Sequence, residues 1–255
     1  MFDLHCHLLP GLDDGARSLD EALTMARLAR ADGIRAIVAT PHADQWDGGS
    51  SLAAAWRAIN QLGGAFARQG LDLRLLPGVE VQIMDGLARD LDAGRAFPLA
   101  ESRYVLLHLP SDQDAGALDR AWEVLDQRGL RPILAGPERH PHLQRDARPI
   151  ERWAARGGLI QIGAASLLAE PGDRALAAAE DFLRRRLAHL IASGGHAPTG
   201  DRPPCLSAAV DRAAALIGGE AARDLVTLTP LTILADGDVP VVPFLPAERP
   251  WWKRW

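Results

Sequence analysis

Cysteine and aromatic residues are scarce in this chain. It has 2 cysteines, Cys6 and Cys205, and 5% aromatic residues among its 255. Two cysteines cannot build a disulfide framework, so a fold held together by cross-links is excluded. Because 47% of the residues are nonetheless hydrophobic, we expect a sizeable core built mainly from Ala, Leu, Ile and Val.

The chain also lacks an excess of positive charge and any long apolar run. Its net charge is −5 at pH 7, and without a basic stripe nucleic acid is not expected as the main partner. The N-terminus lacks the basic and apolar regions of a signal peptide, and no apolar stretch approaches the length of a transmembrane segment. We therefore expect a cytoplasmic protein.

The first residues carry a pattern of their own, in which Asp3, His5 and His7 occupy alternate positions. Side chains alternate between the two faces of a β-strand, so His5 and His7 should point the same way. Two imidazoles on one face at a strand end form half of a divalent-metal site, and Asp3 is placed to orient one of them. By the same alternation Cys6 points away from the histidines and is expected to be a packing residue.

Segments typical of strands and helices alternate along the chain, beginning with a capping box from Ser18 to Glu21. The predicted strands are 1–5, 35–39, one or two within 73–81, 104–107, 132–135, 159–162 and 190–192. The predicted helices are 19–31, 52–69, 117–128, 150–155, 175–187, 207–217 and 220–226. Such alternation indicates an α/β fold with a parallel sheet, and the chain length favours a closed or nearly closed barrel. We expect one domain over residues 1–255, with 239–255 as an extended tail.

Metal-capable side chains recur at the ends of the predicted strands. They are His5, His7, His42, Glu80, His108 and His196. In a barrel, the carboxyl ends of all strands meet on one face, and active sites lie on that face. A single His after a strand is usually structural, but its recurrence at equivalent positions predicts a metal site.

Five segments together resemble one family: 5–15 (HCHLLPGLDDG), 39–42 (ATPH), 78–80 (GVE), 137–139 (PER) and 202–204 (RPP). They are similar to the polymerase and histidinol phosphatase (PHP) superfamily, in particular its bacterial manganese-dependent protein-tyrosine phosphatases of capsule and exopolysaccharide synthesis. The resemblance implies a distorted (β/α)7 barrel of the TIM type, up to three divalent metal ions and hydrolysis of phosphotyrosine. The implied partner is the tyrosine-rich tail of an autophosphorylating kinase that controls polysaccharide export.

The chain departs from that pattern at three positions. His108 stands where the branch has Glu, although other branches of the superfamily have His there. Gly136 stands where the branch has His, and Gly194 stands where it has Asp. Glycine has no side chain, so two of the expected ligands are absent.

The resemblance assigns the remaining ligands to three metal positions. His5, His7 and Glu80 belong to the first, Asp14, His42 and His196 to the second, and Glu80 and His108 to the third. Three protein ligands suffice for a catalytic metal, whereas two rarely hold one tightly. We therefore expect two ions rather than three, with manganese implied by the resemblance, while the His and carboxylate ligands leave iron and zinc open.

Two arginines, Arg139 and Arg202, follow metal-ligating strand ends and are candidates for bidentate binding of a phosphate. Solvent exposure or a salt bridge is the alternative for each. A cysteine-dependent phosphatase is not expected, because that chemistry needs five residues between Cys and Arg. Six residues separate Cys205 from Arg212, and Cys6 has no Arg nearby.

Several alternatives stay open at this point. His140 and His142 either replace a lost ligand or belong to a surface loop. The segment 251–255 (WWKRW) either contacts a membrane or packs on the protein itself. The chain as a whole could also be a degenerate relative that binds a partner without catalysis, or a phosphatase of small phosphate esters.

Overall fold

A computed structural model describes residues 1–45, 51–170, 172–200, 202–240 and 242–246. Within these residues eight strands occur, and every pair of neighbouring strands runs parallel. They are β1 (Phe2–Cys6), β2 (Ala36–Ala39), β3 (Arg74–Pro77), β4 (Glu80–Gln82), β5 (Tyr104–His108), β6 (Arg131–Ala135), β7 (Leu159–Gly163) and β8 (Leu190–Ala192). They form two sheets, in the orders β1-β2-β3 and β4-β5-β6-β7-β8.

Helices connect most of these strands. They are α1 (Leu19–Ala31), α2 (Leu52–Arg68), α3 (Leu87–Asp92), α4 (Gly116–Asp126), α5 (Pro141–Arg145), α6 (Arg148–Ala155), α7 (Ala164–Leu167), α8 (Arg174–Arg184), α9 (Ser207–Ile217), α10 (Gly219–Asp224) and α11 (Leu228–Leu234). Short 3₁₀ turns cover Leu99–Glu101 and Pro137–Arg139. In the described part of the chain, no helix combines the length and apolar composition needed to cross a membrane.

The two sheets join into a distorted barrel at both edges. His42, just beyond β2, bridges in parallel to Glu80 of β4, and Cys6 of β1 bridges to Gly195 beyond β8. β3 ends at Pro77 and β4 begins at Glu80, so the two short strands together occupy one strand position of the barrel. The eight strands therefore fill the seven strand positions of a (β/α)7 fold. Glycine at position 78 lets the chain between β3 and β4 pack closely on its neighbours, since a Cβ there would lie 2.6 Å from Cγ1 of Val38. The expected fold class is confirmed.

The apolar core has two layers. Small and aliphatic side chains fill the barrel interior, among them Leu4, Val38, Leu106, Ile133 and Leu190. A larger outer layer packs the helices onto the strands. Polar side chains at the carboxyl ends of the strands lie above the inner layer, so the apolar filling separates the candidate site from the other end of the barrel.

Most expected helices are present, including α2, which tolerates Gly63 and Gly64 in its interior. Ser18 caps α1 by accepting a hydrogen bond from the backbone N–H of Glu21, as the capping box predicted. The sequence did not reveal α3, α5, α7 and α11, which have 6, 5, 4 and 7 residues. Helices of this length show too few turns for a clear apolar periodicity.

The described part of the C-terminal tail lies against the barrel. The backbone N–H of Leu245 donates to the carbonyl of Arg185 over 2.8 Å, and Nε of Arg185 donates to the carbonyl of Leu245 over 3.1 Å. Phe244 packs against the outer core layer. The Trp-rich segment 251–255 lies outside the described residues.

Candidate metal centre

β1 and β4 bring three ligand-type side chains together at the barrel mouth. The Nε2 atoms of His5 and His7 lie 3.0 Å apart, and Oε2 of Glu80 lies 3.4 and 3.5 Å from them. All three residues are buried, with 3%, 0% and 2% of their surface exposed. One atom from each falls within a common 4.8 Å cluster, a spacing that suits a shared metal ion.

A second cluster lies beside the first and shares His7 with it. It contains His7, Asp14, His42 and His196, with one ligand atom of each within 4.8 Å of the others. Oδ1 of Asp14 lies 3.5 Å from Nε2 of His42 and 3.4 Å from Nε2 of His196. The two clusters therefore contain the first two ligand sets expected from the sequence, with His7 placed between them.

The loop between β1 and α1 brings the acidic residues to the mouth. It folds back so that the N–H of Ala16 donates to the carbonyl of His7 over 3.0 Å. Only glycine fits at position 15, because a Cβ there would lie 2.2 Å from that carbonyl oxygen. The same turn places Asp13 against His7, whose Nδ1–H donates to Oδ2 of Asp13 over 2.6 Å.

Hydrogen bonds at Nδ1 fix the orientation of three of the histidines. His5 donates to Oε1 of Gln161 over 2.8 Å, His7 to Asp13, and His196 to the carbonyl of Gly194 over 2.7 Å. Each bond leaves Nε2 as the atom facing the mouth, which is the arrangement found around metal-ligating histidines. The sequence analysis did not identify Asp13 or Gln161; the only signals for them were an acidic neighbour of Asp14 and a polar residue within a buried strand.

The expectation that Asp3 orients one of the histidines is wrong. Nδ1 of His5 bonds Gln161, and Asp3 contacts His5 only through the backbone, where the N–H of His5 donates to Oδ1 of Asp3 over 3.3 Å. The Asp3 carboxylate instead accepts hydrogen bonds from the N–H and hydroxyl of Ser193. Asp3 therefore joins β1 to the segment after β8 and supports barrel closure.

The buried charges at the mouth shift one another's pKa values. Burial raises the pKa of Glu80, but the surrounding histidines outweigh it and hold it well below its usual range. Burial likewise disfavours a charged His7, yet hydrogen bonds with Asp13 and Glu80 raise its pKa to about 9. Burial and the charge of His7 lower the pKa of His196 to about 3. Such opposite shifts in neighbouring groups are typical of functional sites.

The donor atoms fit divalent metal ions. The Nε2 atoms of His5 and His7 lie 3.0 Å apart. Two nitrogen lone pairs repel each other at this distance unless they share a cation, either a proton or a metal ion. Nδ1 of His108 is buried and has no hydrogen-bond partner among the described residues. Nδ1 of His42 and Nε2 of His196 are buried too, and each faces a carboxylate oxygen without an aligned hydrogen bond, at 3.0 Å on Glu80 and 3.4 Å on Asp14. Buried polar atoms without partners are costly, and a bound ion would satisfy them.

The side of the mouth formed by β5 and β6 is different. Nδ1 of His108 lies 3.9 Å from Oε1 of Glu80, so His108 reaches the expected third position. Gly136 follows β6 in a left-handed conformation with φ of 57°. Gly194, with φ of +54°, has nothing within 4 Å of where its Cβ would be among the described residues. The mouth thus lacks both of the ligands expected at these glycines.

A cavity of about 340 Å³ opens above the two clusters. His5, His42, Glu80, His108, Arg139 and Arg202 are among the residues that line it. Both arginines expected from the sequence therefore face the same space as the metal-capable side chains. The roles of the two arginines stay predictions.

The remaining histidines and the cysteines occupy other surroundings. His140 is buried, not part of an exposed loop, and its Nε2 lies 3.0 Å from the carbonyl of Pro110. It lines the cavity but belongs to neither ligand cluster. His142 is exposed. Burial raises the pKa of the thiol of Cys6 well above its usual range, as expected for a packing residue.

Comparison with known proteins agrees with this architecture. A family model for capsular polysaccharide synthesis, CpsB/CapC, matches residues 1–235. The chain belongs to the CpsB/CapC family. Among its relatives, the tyrosine-protein phosphatase YwqE of Bacillus subtilis is 31% identical over 196 residues, which cover 77% of each chain. The tyrosine-protein phosphatase CpsB of Streptococcus pneumoniae is 24% identical over 244 residues, or 92% of this chain and 99% of CpsB.

A solved structure gives the same result for the fold of this CpsB/CapC family member. It comes from work on YwqE of Bacillus subtilis and CpsB of Streptococcus pneumoniae, described as unique metal-dependent tyrosine phosphatases. The TM-score is 0.89 at 28% sequence identity, covering 98% of this chain and 100% of the other. The likeness therefore extends over the whole fold.

Proposed function

We propose that this chain is a metal-dependent phosphatase that hydrolyses phosphotyrosine on a protein. The observation that carries the proposal is the pair of ligand clusters sharing His7, in a cavity that Arg139 and Arg202 also line. Metal ligands beside two guanidinium groups suit a phosphate ester, because its charge must be neutralised on several oxygens at once. The tyrosine-protein phosphatases among the relatives support the same activity.

The cofactor we propose is a pair of divalent ions, with manganese first and iron or zinc as alternatives. His5, His7 and Glu80 would hold one ion. Asp14, His42 and His196, which lie next to His7, would hold the other. His108 and Glu80 alone offer two ligands at the third position, too few for tight binding. Two divalent ions supply activation of a water molecule and neutralisation of the phosphoryl oxygens.

The protein's own residues then bind and orient the ester. Arg139 is exposed and Arg202 half-buried at the cavity wall, and each can grip phosphoryl oxygens through two N–H groups. Gln161 and Asp13 hold the rings of His5 and His7 in place. These fixed orientations mean that the ligand geometry does not have to reorganise when the ester binds.

For the substrate we propose a phosphotyrosine segment of a tyrosine kinase that controls polysaccharide export. Membership of a capsular polysaccharide synthesis family supports this choice. The exposed Arg139 and the half-exposed Asp14, whose side chain is 53% exposed, keep the cavity rim accessible to a residue carried on a larger chain. Such a partner would place the protein in the cytoplasm.

The test is phosphate release by the full chain loaded with Mn, Fe or Zn. A phosphotyrosine peptide from a tyrosine-rich kinase tail is compared with free phosphotyrosine and with the same peptide carrying phosphoserine. We expect metal-dependent release, with a higher kcat/KM for the phosphotyrosine peptide than for either comparison substrate. Equal or better turnover of the free amino acid would instead point to small esters.

A protein that folds and loads metal but releases no phosphate would overturn the proposal. Circular dichroism and metal analysis establish those two conditions. Retained binding of the phosphopeptide in that case would identify a binding protein, and the ligands missing at Gly136 and Gly194 would then explain the lost activity.

A further inference from the structure

Gly136 and Arg139 share one position at the end of β6. A Cβ added to Gly136 would lie 2.6 Å from Nη2, 2.8 Å from Nε and 3.1 Å from Cζ of Arg139. Real Cβ atoms do not approach other heavy atoms so closely. The guanidinium of Arg139 therefore lies where the side chain of any residue other than glycine at position 136 would begin.

The backbone explains how Arg139 reaches this place. Gly136 is left-handed and opens the 3₁₀ turn Pro137–Arg139, whose N–H at Arg139 donates to the carbonyl of Gly136 over 3.1 Å. The N–H of Gly136 donates to the carbonyl of Gln161 over 2.8 Å, which fixes the turn to β7. The turn brings residue 139 back over residue 136, and the missing Cβ leaves room for the guanidinium.

The surroundings of this guanidinium suit an anion. Arg139 lines the same cavity as His42, Glu80 and His108. Within the described ranges no carboxylate forms an ion pair with it, although the neighbouring Arg148 and Arg152 are both paired.

We propose that Gly136 is a positioning residue for phosphate: by lacking a side chain it lets the guanidinium of Arg139 lie at the strand end, where it can bind the phosphoryl group. This inference rests on the proposed function for its ligand, a phosphate ester. It assigns to Gly136 a role in substrate binding where the sequence alone indicated only a lost metal ligand. A permanent positive charge thus stands on the side of the mouth where the protein ligands are too few to hold an ion.

The test is a double-mutant cycle read by calorimetric binding of inorganic phosphate to the full, Mn-loaded chain. Gly136→Ala should displace the guanidinium, because a flexible side chain can move more easily than the backbone. We expect Gly136→Ala and Arg139→Ala each to weaken phosphate binding about 10- to 100-fold, the usual range for a charge-assisted hydrogen-bonded contact. The double variant should bind no more weakly than Arg139→Ala alone, since both changes remove the same contact.

A matched control separates displacement of Arg139 from backbone strain. Gly129 has φ of +66°, close to the +57° of Gly136, and nothing lies within 4 Å of its added Cβ among the described residues. Gly129→Ala introduces the same kind of left-handed strain and should bind phosphate like the unmodified chain. Metal content, measured by mass spectrometry, should be equal in all variants.

Three outcomes would overturn the proposal. They are unchanged phosphate binding in Gly136→Ala, losses in the single variants that multiply in the double variant, and loss of metal from Gly136→Ala. Absence of phosphate binding by the unmodified chain would overturn it as well. The cycle measures binding alone, so a chain that binds phosphate but hydrolyses no phosphotyrosine would refute the proposed function and leave this inference standing.

Discussion

Strands β1, β2 and β4 bring four metal-capable side chains to the barrel mouth, those of His5, His7, His42 and Glu80. In contrast, β5 ends in His108, and β6 is followed by Gly136, which has no side chain. On the first side, which we call the retained side, hydrogen bonds to Gln161 and Asp13 hold two of the rings. On the second, the altered side, Nδ1 of His108 has no hydrogen-bond partner among the described residues.

The two sides differ in how their positive charge is provided. The retained side has buried, preoriented donors that need a cation to satisfy them. The altered side has no side-chain donor at Gly136 and has the guanidinium of Arg139 beside it. Under the proposed function, the comparison teaches that one barrel mouth combines metal ions on one side with the guanidinium of an arginine on the other.

The largest effect is expected from breaking the retained side. His42→Ala removes a ligand of the cluster with His7, Asp14 and His196, leaving that ion with fewer donors. We expect phosphate release from a phosphotyrosine peptide to fall about a thousandfold or more, because the barrier is lowered chiefly by metal chemistry. His142→Ala, a change at an exposed histidine, is the control and should keep its activity. Near-normal turnover by His42→Ala would contradict the assignment.

Converting the altered side into a ligand-bearing side is the next largest change. Gly136→His should add a donor beside Glu80 and His108, whose atoms are 3.9 Å apart, and should displace Arg139. We expect the metal content to rise from two ions to three per chain, measured by mass spectrometry after gel filtration. The double variant Gly136→His with His108→Ala should return to two. An unchanged count in the single variant would show that the altered side cannot be rebuilt by one ligand.

Removing a supporting partner from the retained side should have a smaller effect. Gln161→Ala deletes the acceptor for Nδ1 of His5, and loss of such a partner typically lowers metal affinity about 10- to 100-fold. A titration against a competing chelator measures this change. Gln161→Glu keeps an acceptor and should restore much of the affinity, whereas Gln69→Ala, at an exposed glutamine, should change nothing. Full affinity in Gln161→Ala would mean that His5 is oriented by other contacts.

The sequence predicted the parts of this site that follow from periodicity and strand order. The convergence of His5, His42, Glu80 and His108 on one cavity follows because parallel strands in a barrel share one carboxyl end. His196 was recognised for the same reason.

The sequence could not predict features that depend on an inserted residue or on contacts between distant segments. The register irregularity in β1 and the contact between Asp3 and Ser193 leave no periodic trace. Gln161 supports His5 across 156 positions of the chain. The place of Arg139 over Gly136 depends on one left-handed residue, and glycine in a sequence does not disclose which side chain will cover it.

The last prediction leaves the site untouched and contrasts the mouth with the opposite end of the barrel. His189, just before β8, accepts a hydrogen bond at Nδ1 from the N–H of Ile160, and burial lowers its pKa to about 4. The unfolded chain, with a His pKa of about 6.5, therefore binds more protons than the folded chain between pH 6.5 and 4. The stabilising contribution is complete above pH 6.5 and is lost as the pH falls to 4, by about 1.4 kcal/mol per pH unit and about 3 kcal/mol in all.

His189→Asn keeps an acceptor for Ile160 but cannot take up a proton in this range. Both proteins are unfolded with urea in excess chelator, so that the site histidines are free of metal in each. Their contribution to the pH dependence is then the same in both proteins and cancels in the difference. We expect the unfolding free energy of the unmodified chain, minus that of the variant, to shrink by about 3 kcal/mol between pH 7 and pH 4. A constant difference would show that His189 can be charged in the folded chain. His189 would then not differ from the charged histidine at the mouth, and the contrast between the two ends of the barrel would be wrong at this residue.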